Sequence, residues 1–359
     1  MDDSVRRHAE VLVEHSIEAS AGDQVLIRAP TAAEELVVAL YERLGAVGAR
    51  PETLWTNRRA DRAYLTRVDA DAVTTRETRL AATEAADAVV LVKAPRNAAE
   101  GSDVSSEVAR ARGEAKQPVL DARLDGRWVI TVHPTAAAAQ RAETSTAAYR
   151  DLVHDAVDRD WAAHAERQSG LAERLREAEK LRLVAGETTD LRLSVAGMDV
   201  YVDDATENLP GGEVATAPVP DSVEGTVRAD APLVRGGETI EGARLTFEDG
   251  HVVDHDAERN AAALGRLLDR DEGARRLGEV GVGTNRGIDR FVGDVLFDEK
   301  VGGTVHVALG RSMEECVPEG RPFNESAVHA DAVVDTREDA RLEVDGEVVL
   351  RDGRFRFED

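Results

Sequence analysis

The residues with the clearest chemical potential lie in two short stretches, Gly303-Thr304-Val305-His306 and Asn324-Glu325-Ser326-Ala327-Val328-His329-Ala330-Asp331. His329 and Asp331 are two apart, so in a strand both side chains leave by the same face. The run TVHVALG alternates β-branched and small residues as a strand does, and it carries His306 in its middle. A histidine there is either a satisfied core residue or a ligand. A second histidine and an aspartate close by favour the ligand. Glu213, in NLPGGEVATAP, and Glu279, in LGEVGVGTN, sit beside glycines that let backbone approach a bound group. Both are followed by apolar residues, unlike the glutamates of a solvated face.

Together Glu213, Glu279, His306, His329 and Asp331 make a metal-ligand set. Carboxylates mixed with imidazole suit zinc, cobalt, manganese or iron, and no thiolate is included. Five ligands exceed what one four-coordinate catalytic zinc needs if a position is to stay open. Two ions sharing a carboxylate use them better, binding and deprotonating a water and holding both the attacking and the carbonyl oxygen.

At these residues the chain resembles the thermophilic, or leucyl, metallo-aminopeptidases of the aminopeptidase T type. The matching blocks are NLPGGEVATAP, LGEVGVGTN, LFDEKVGGTVHVALG and NESAVHADAVVD, in that order. LVEHSIEASAGDQVLIRAP, ELVVALYERLGAVGARP and RWVITVHPTAAAAQRA extend the match over nearly the whole chain. The resemblance implies that all five residues are metal ligands, that two divalent ions (zinc, cobalt or manganese) are bound, and that N-terminal residues are removed from peptides by a metal-activated water. It implies that Glu279 is the catalytic carboxylate, as a bridging ligand or nearest the water, and that subunits pair as a homodimer. One departure stands out: the family tyrosine after the first histidine is replaced by Met313, which cannot donate a hydrogen bond to a tetrahedral intermediate. The loop between the two histidines is also short for the family. Glu299 is a candidate supporting carboxylate and equally a surface residue. The alternatives are a ring-cleaving dioxygenase with iron(II) on His306, His329 and Asp331, and a catalytically idle metal-binding homologue.

Composition bounds these readings. A net charge of -25 over 359 residues disfavours nucleic-acid binding through a basic patch. The lysines are Lys93, Lys116, Lys180 and Lys300, so nearly all positive charge is arginine. Scarce lysine, dispersed acid and small apolar residues predict a halophilic protein of a salt-loaded, haloarchaeal cytoplasm. No apolar run is long enough to span a bilayer, so a soluble cytoplasmic protein without membrane partners is expected. Cys316 is the sole cysteine, which excludes an intramolecular disulfide; its acidic neighbours argue against a nucleophile.

The texture changes near residue 183, predicting an N-terminal α/β domain with a helical connector over 1–183 and a mainly antiparallel, β-rich catalytic domain over 184–359. In the first part helices over Val5–Ala19 and Ala33–Leu44 alternate with strands at Gln24–Ile27, Ala88–Lys93 and Arg127–Val132, which suggests a parallel or mixed sheet. Thr144–Ala178 reads as a helix pair. In the second, short strands separated by turns such as Glu248-Asp249-Gly250 follow one another, with one helix over Ala257–Asp271. His8, His15, His154 and His164 lie on predicted helices among charges and are expected to be solvated. His251 and His255 fall on a strand, where they do not converge as they would on a helix. Gly281–Gly287 lacks the residue order of a phosphate loop.

Overall fold

The computed structural model describes residues 2–97, 99–235 and 238–356. The chain forms two units: 1–159 with 205–211, and 160–204 with 212–359. Residue 183 lies inside a strand of the second unit.

In the first unit β1 (Gln24–Pro30), β2 (Arg50–Thr56), β3 (Ala88–Lys93) and β4 (Arg127–Val132) form a parallel sheet in the order β2-β1-β3-β4, with the short Asn208–Leu209 (β8) at its edge. The crossovers are helical: α2 (Glu34–Val47), α3 (Arg58–Leu65) and α4 (Glu77–Glu84), α5 (Ser106–Glu114) and α6 (Gln117–Leu124). Alternation of apolar strands with amphipathic helices is what a parallel sheet needs to cover its faces. The first helix is shorter than expected: α1 (Asp3–Val11) passes into a π-helical turn at Leu12–Ser16. After β4 come α7 (Ala136–Arg141) and α8 (Thr146–Val157). The expected helix pair is α8 and the helix that follows it, and the units divide between the two. Asp160 then caps α9 (Trp161–Glu177), accepting the Ala163 amide at 3.0 Å.

The second unit holds two antiparallel sheets. One runs β14-β13-β10-β6-β5-β18-β19-β20, from β5 (Lys180–Ala185), β6 (Thr189–Ser194), β10 (Glu224–Arg228), β13 (Arg244–Glu248), β14 (His251–Asp256), β18 (Ala340–Val344), β19 (Glu347–Arg351) and β20 (Arg354–Phe355). The other runs β17-β16-β15-β9-β7, from β7 (Val200–Asp203), β9 (Glu213–Thr216), β15 (Leu277–Gly283), β16 (Thr304–Gly310) and β17 (His329–Val334). A ribbon of β11 (Leu233–Arg235) and β12 (Glu238–Ile240), α10 (Ala261–Leu268) and α11 (Val295–Asp298) complete the unit. Leu181, Leu183, Leu191, Leu193 and Leu342 of the larger sheet share one buried cluster with Val214, Val280, Val282, Val305, Val307 and Leu309 of the smaller. The chain is therefore an α/β sheet unit followed by a largely antiparallel α+β unit.

Two expectations fail. His8 and His164 are 1% and 3% exposed rather than solvated. His8 is on the inner face of α1 with Nε2 2.7 Å from Thr131 Oγ1, and His164 Nε2 is 3.0 Å from Thr284 Oγ1. Charged neighbours in sequence hid them because a helix places adjacent residues on different faces.

Candidate metal centre

Strand register assembles the site. Val214, Val280, Val282, Val305, Val307 and Leu309 fill the core from one face of the smaller sheet. The alternate residues must then use the opposite face. There Gly283 pairs with Glu213, Gly281 with His306, Ala308 with Asp331 and Gly310 with His329. Glu279 lies opposite Ala308 after a register shift in β15. All five expected residues thus share one face of four adjacent strands, interleaved with glycine and alanine. The small residues create the space the larger ones occupy. A Cβ on Gly281 would collide with Cε1 and Nε2 of the His306 ring.

The ligating atoms fall into two groups: Glu213, Glu279 and His306, and Glu279, His329 and Asp331, with the donor atoms within 4.8 Å of one another in each. Glu279 belongs to both. Its Oε1 is 3.1 Å from His306 Nε2, and its Oε2 is 3.5 Å from His329 Nε2. Glu213 Oε2 is 3.5 Å from His306 Nε2, and Asp331 Oδ1 is 3.5 Å from His329 Nε2. Neither of those two carboxylate oxygens has a hydrogen-bond partner although both are buried. Buried acceptors without donors are costly, and a cation is what such a donor set suits. His306, His329 and Asp331 do not form one such group among the described residues, as the iron-triad alternative would require.

The electrostatics agree. Burial alone would lower the His306 pKa, but the Glu279 hydrogen bond and the charges of Glu279, Glu213 and Asp331 raise it to about 9. For His329 burial is likewise outweighed, by Asp331 and Glu279, and the pKa rises to about 10. The imidazoles here take the place of cations. His329 Nδ1 is 3.2 Å from the Arg311 carbonyl, which can only accept. Nδ1 therefore carries a proton whether the ring is neutral or charged, and Nε2 is turned toward the carboxylates.

Sequence reasoning missed Lys300. Its side chain is fully buried, with Nζ 3.3 Å from Asp203 Oδ2, 3.4 Å from Glu213 Oε1 and in contact with Glu299 Oε1. Burial disfavours its charge, but the three carboxylates hold its pKa well above the ordinary lysine range. Burial pushes the Glu213 carboxyl well up, with Lys300 the main opposing influence. Glu299 is partly buried against this ammonium rather than a free surface residue. Asp203 joins the cluster because β7 pairs it with Glu213. Gln168 of α9 donates to the carbonyls of both residues, at 3.2 and 3.0 Å. Scarcity of lysine in this chain was the available signal for Lys300. Cys316 is buried, its thiol pushed up to about 12 by desolvation, and is chemically quiet.

A family model described as "Thermophilic metalloprotease (M29)" matches residues 1–355. The chain belongs to that family. Aminopeptidase T of Thermus thermophilus is 40% identical over 185 residues, which are 45% of this chain and 43% of that protein. Aminopeptidase 2 of Geobacillus stearothermophilus is 37% identical over 172 residues, 42% of this chain and 40% of the relative. In these alignments the chain spans less than half the length of the curated relatives. The wild-type AmpT structure from Thermus thermophilus superposes with a TM-score of 0.88 at 26% identity, covering 99% of both chains. A 2,5-dihydroxypyridine dioxygenase from Pseudomonas putida KT2440 shares the fold alone, at 15% identity and a TM-score of 0.60 over 98% of this chain and 96% of that one.

Proposed function

We propose that the protein is a metal-dependent aminopeptidase acting on peptides, with the second unit as its catalytic part and Glu279 bridging two divalent ions. The observation that carries this reading is that Glu279 offers one oxygen to each histidine and belongs to both ligand groups. Glu213, His306 and Oε1 of Glu279 would hold one ion; Oε2 of Glu279, His329 and Asp331 would hold the other. Zinc, cobalt and manganese all suit these donors. Ions bound there supply a water of lowered pKa and polarise the scissile carbonyl. The Lys300 ammonium opposes protonation of Glu213 and lies against its Oε1, leaving Oε2 to face His306, and the Arg311 carbonyl holds His329 so that Nε2 is presented.

Three further readings rest on the sequence: a homodimer, a cytoplasmic location and adaptation to high salt. Among the described residues no helix is long and apolar enough to cross a membrane. Met313 stands in the loop after β16, and the family tyrosine's hydrogen bond would be missing there.

The test is metal content of the purified protein, together with hydrolysis of aminoacyl anilides after chelation and refilling. About two ions per chain and restored cleavage are expected, with Glu279→Gln losing about a hundredfold or more in kcat. Unchanged turnover in Glu279→Gln removes this residue from the mechanism. A single iron with oxygen uptake on a hydroxylated aromatic replaces the peptidase reading, and metal without turnover on broad peptide panels leaves an idle homologue.

A further inference from the structure

The first unit contains a second concave site, remote in sequence from the five metal-centre residues. A cavity of about 370 Å³ lies between the parallel sheet and the helices that follow β2 and β3. Its floor includes Arg28 of β1 and Leu91 of β3, which are register partners. Both lie past the midpoint of their strands, at the pair where the order β2-β1-β3-β4 reverses. Doubly wound sheets take ligands near the carboxyl ends of such a pair.

The lining is unlike the rest of this acidic chain. Arg28, Arg76, Arg79, Arg112, Lys116 and Arg123 all face the cavity, against the single carboxylate of Asp61. Asp61 is already shared between Arg76, at 2.9 Å, and Arg112, at 3.0 Å. Among the described residues no ion pair reaches Arg28, Arg79, Lys116 or Arg123. The Nε atoms of Arg28 and Arg123 are buried without a hydrogen-bond partner. Arg123 stacks 4.6 Å over Trp128, which fixes its guanidinium but satisfies none of its donors. Burial, then the charges of Arg79 and Arg123, pull the Arg28 pKa down to about 10. Burial also lowers Arg79, opposed by the charge of Asp61, and Arg123, opposed by that of Glu207, while Lys116 lies exposed at the edge of the hollow. A protein with a net charge of -25 has carboxylates to spare. Four cations without a direct ion pair along one hollow, with only Asp61 and Glu207 as nearby carboxylates among the described residues, therefore suit an outside anion.

We propose that this cavity binds a small molecule through a diphosphate group, with Arg28, Arg79, Lys116 and Arg123 as the anion-binding residues. A diphosphate concentrates several negative charges and acceptor oxygens within a few ångströms, which matches converging guanidinium forks. Thr74 and Thr75 add hydroxyls to the rim, and Leu65, Leu91, Val119 and Leu120 give an apolar wall for an organic body. The proposal is independent of the aminopeptidase reading, since every residue in it belongs to the first unit.

The test is calorimetric titration of the full chain, at one fixed KCl concentration, with ADP, inorganic pyrophosphate and citrate, alongside thermal unfolding. Saturable binding of one ADP or pyrophosphate per chain is expected, weakened about tenfold or more in Arg28→Met and in Lys116→Gln. ADP binding more tightly than pyrophosphate identifies an organic source of the diphosphate; equal affinities identify an inorganic one. Arg28→Met should also raise the Tm of the ligand-free chain, because it removes a cation repelled by its neighbours. A residue with a purely structural role would lower it. Retention of binding in Glu279→Gln separates this site from the metal centre. The proposal is overturned by absence of saturable binding, by equal affinity for citrate, by affinities unchanged in both variants, or by a lowered Tm in ligand-free Arg28→Met.

Discussion

At the scale of single residues, the centre depends as much on what is small as on what ligates. Gly281 faces His306 across β15 and β16, and its missing Cβ is the room the imidazole occupies. Gly281→Ala should displace His306 from Glu279 while leaving the sheet intact. We expect metal affinity to fall at least about tenfold, the effect of losing one well-oriented ligand, with far-ultraviolet circular dichroism unchanged. Wild-type affinity in a competition titration would show that His306 needs no such space. Lys300 is the counterpart in charge. Lys300→Met removes the ammonium from among Asp203, Glu213 and Glu299, and the stranded carboxylates should cost about 3–5 kcal/mol. Urea denaturation measures that loss. Adding Glu213→Gln to the same chain should recover part of it, whereas strictly additive effects would mean that the two residues are not coupled.

At the scale of elements, α1 is tied to the first unit by a titratable group. His8 is neutral in its buried place, its pKa lowered to about 3 by burial and then by His154 and His133. In the unfolded chain a histidine titrates near 6.5. Between those two values the unfolded state binds the extra proton, so stability falls as pH drops below about 6.5 and this contribution is fully present only above it. From pH 7 to pH 5 the loss should be about 2 kcal/mol from this one group. His8→Asn can keep a hydrogen bond to Thr131 but does not titrate, so urea midpoints should show a correspondingly shallower slope. An identical slope would place the acid sensitivity elsewhere. The elements themselves were largely legible: β3 and β4 coincide with the expected strands, and the HADAVV strand carries His329 and Asp331 on one face. Boundaries were less so. Asn260, in the left-handed region, delays α10 to Ala261, and the π-helical turn ends the first helical segment at Ser16. Such breaks follow local backbone geometry that hydropathy does not report.

At the scale of the whole molecule, charge outweighs every other feature of the composition. A net charge of -25 repels itself in any compact state, and screening by salt relieves that repulsion. Exposed arginine–carboxylate pairs such as Arg110–Glu114 and Arg266–Glu238 offset little of it. The midpoint of thermal unfolding should therefore rise steadily from low salt to molar KCl. Full stability in low salt would count against adaptation to a salt-loaded cell.

The sequence alone determined the alternation that makes a parallel sheet, the shift to short antiparallel strands, and the residue types able to hold a divalent cation. These are local properties, carried by hydrophobic period and by the chemistry of individual side chains. Tertiary structure decided the rest. Strand register put Glu279, already the expected catalytic carboxylate, between His306 and His329, so that it belongs to both ligand groups. Tertiary structure buried Lys300 by bringing Asp203 and Glu213 from the paired strands β7 and β9 around it. It gathered the arginines of β1, α4, α5 and α6 over one hollow although no two of them adjoin in sequence. The burial of Lys300 against Asp203 and Glu213, and the gathering of those arginines, arise between segments distant along the chain, which no short window of sequence contains together.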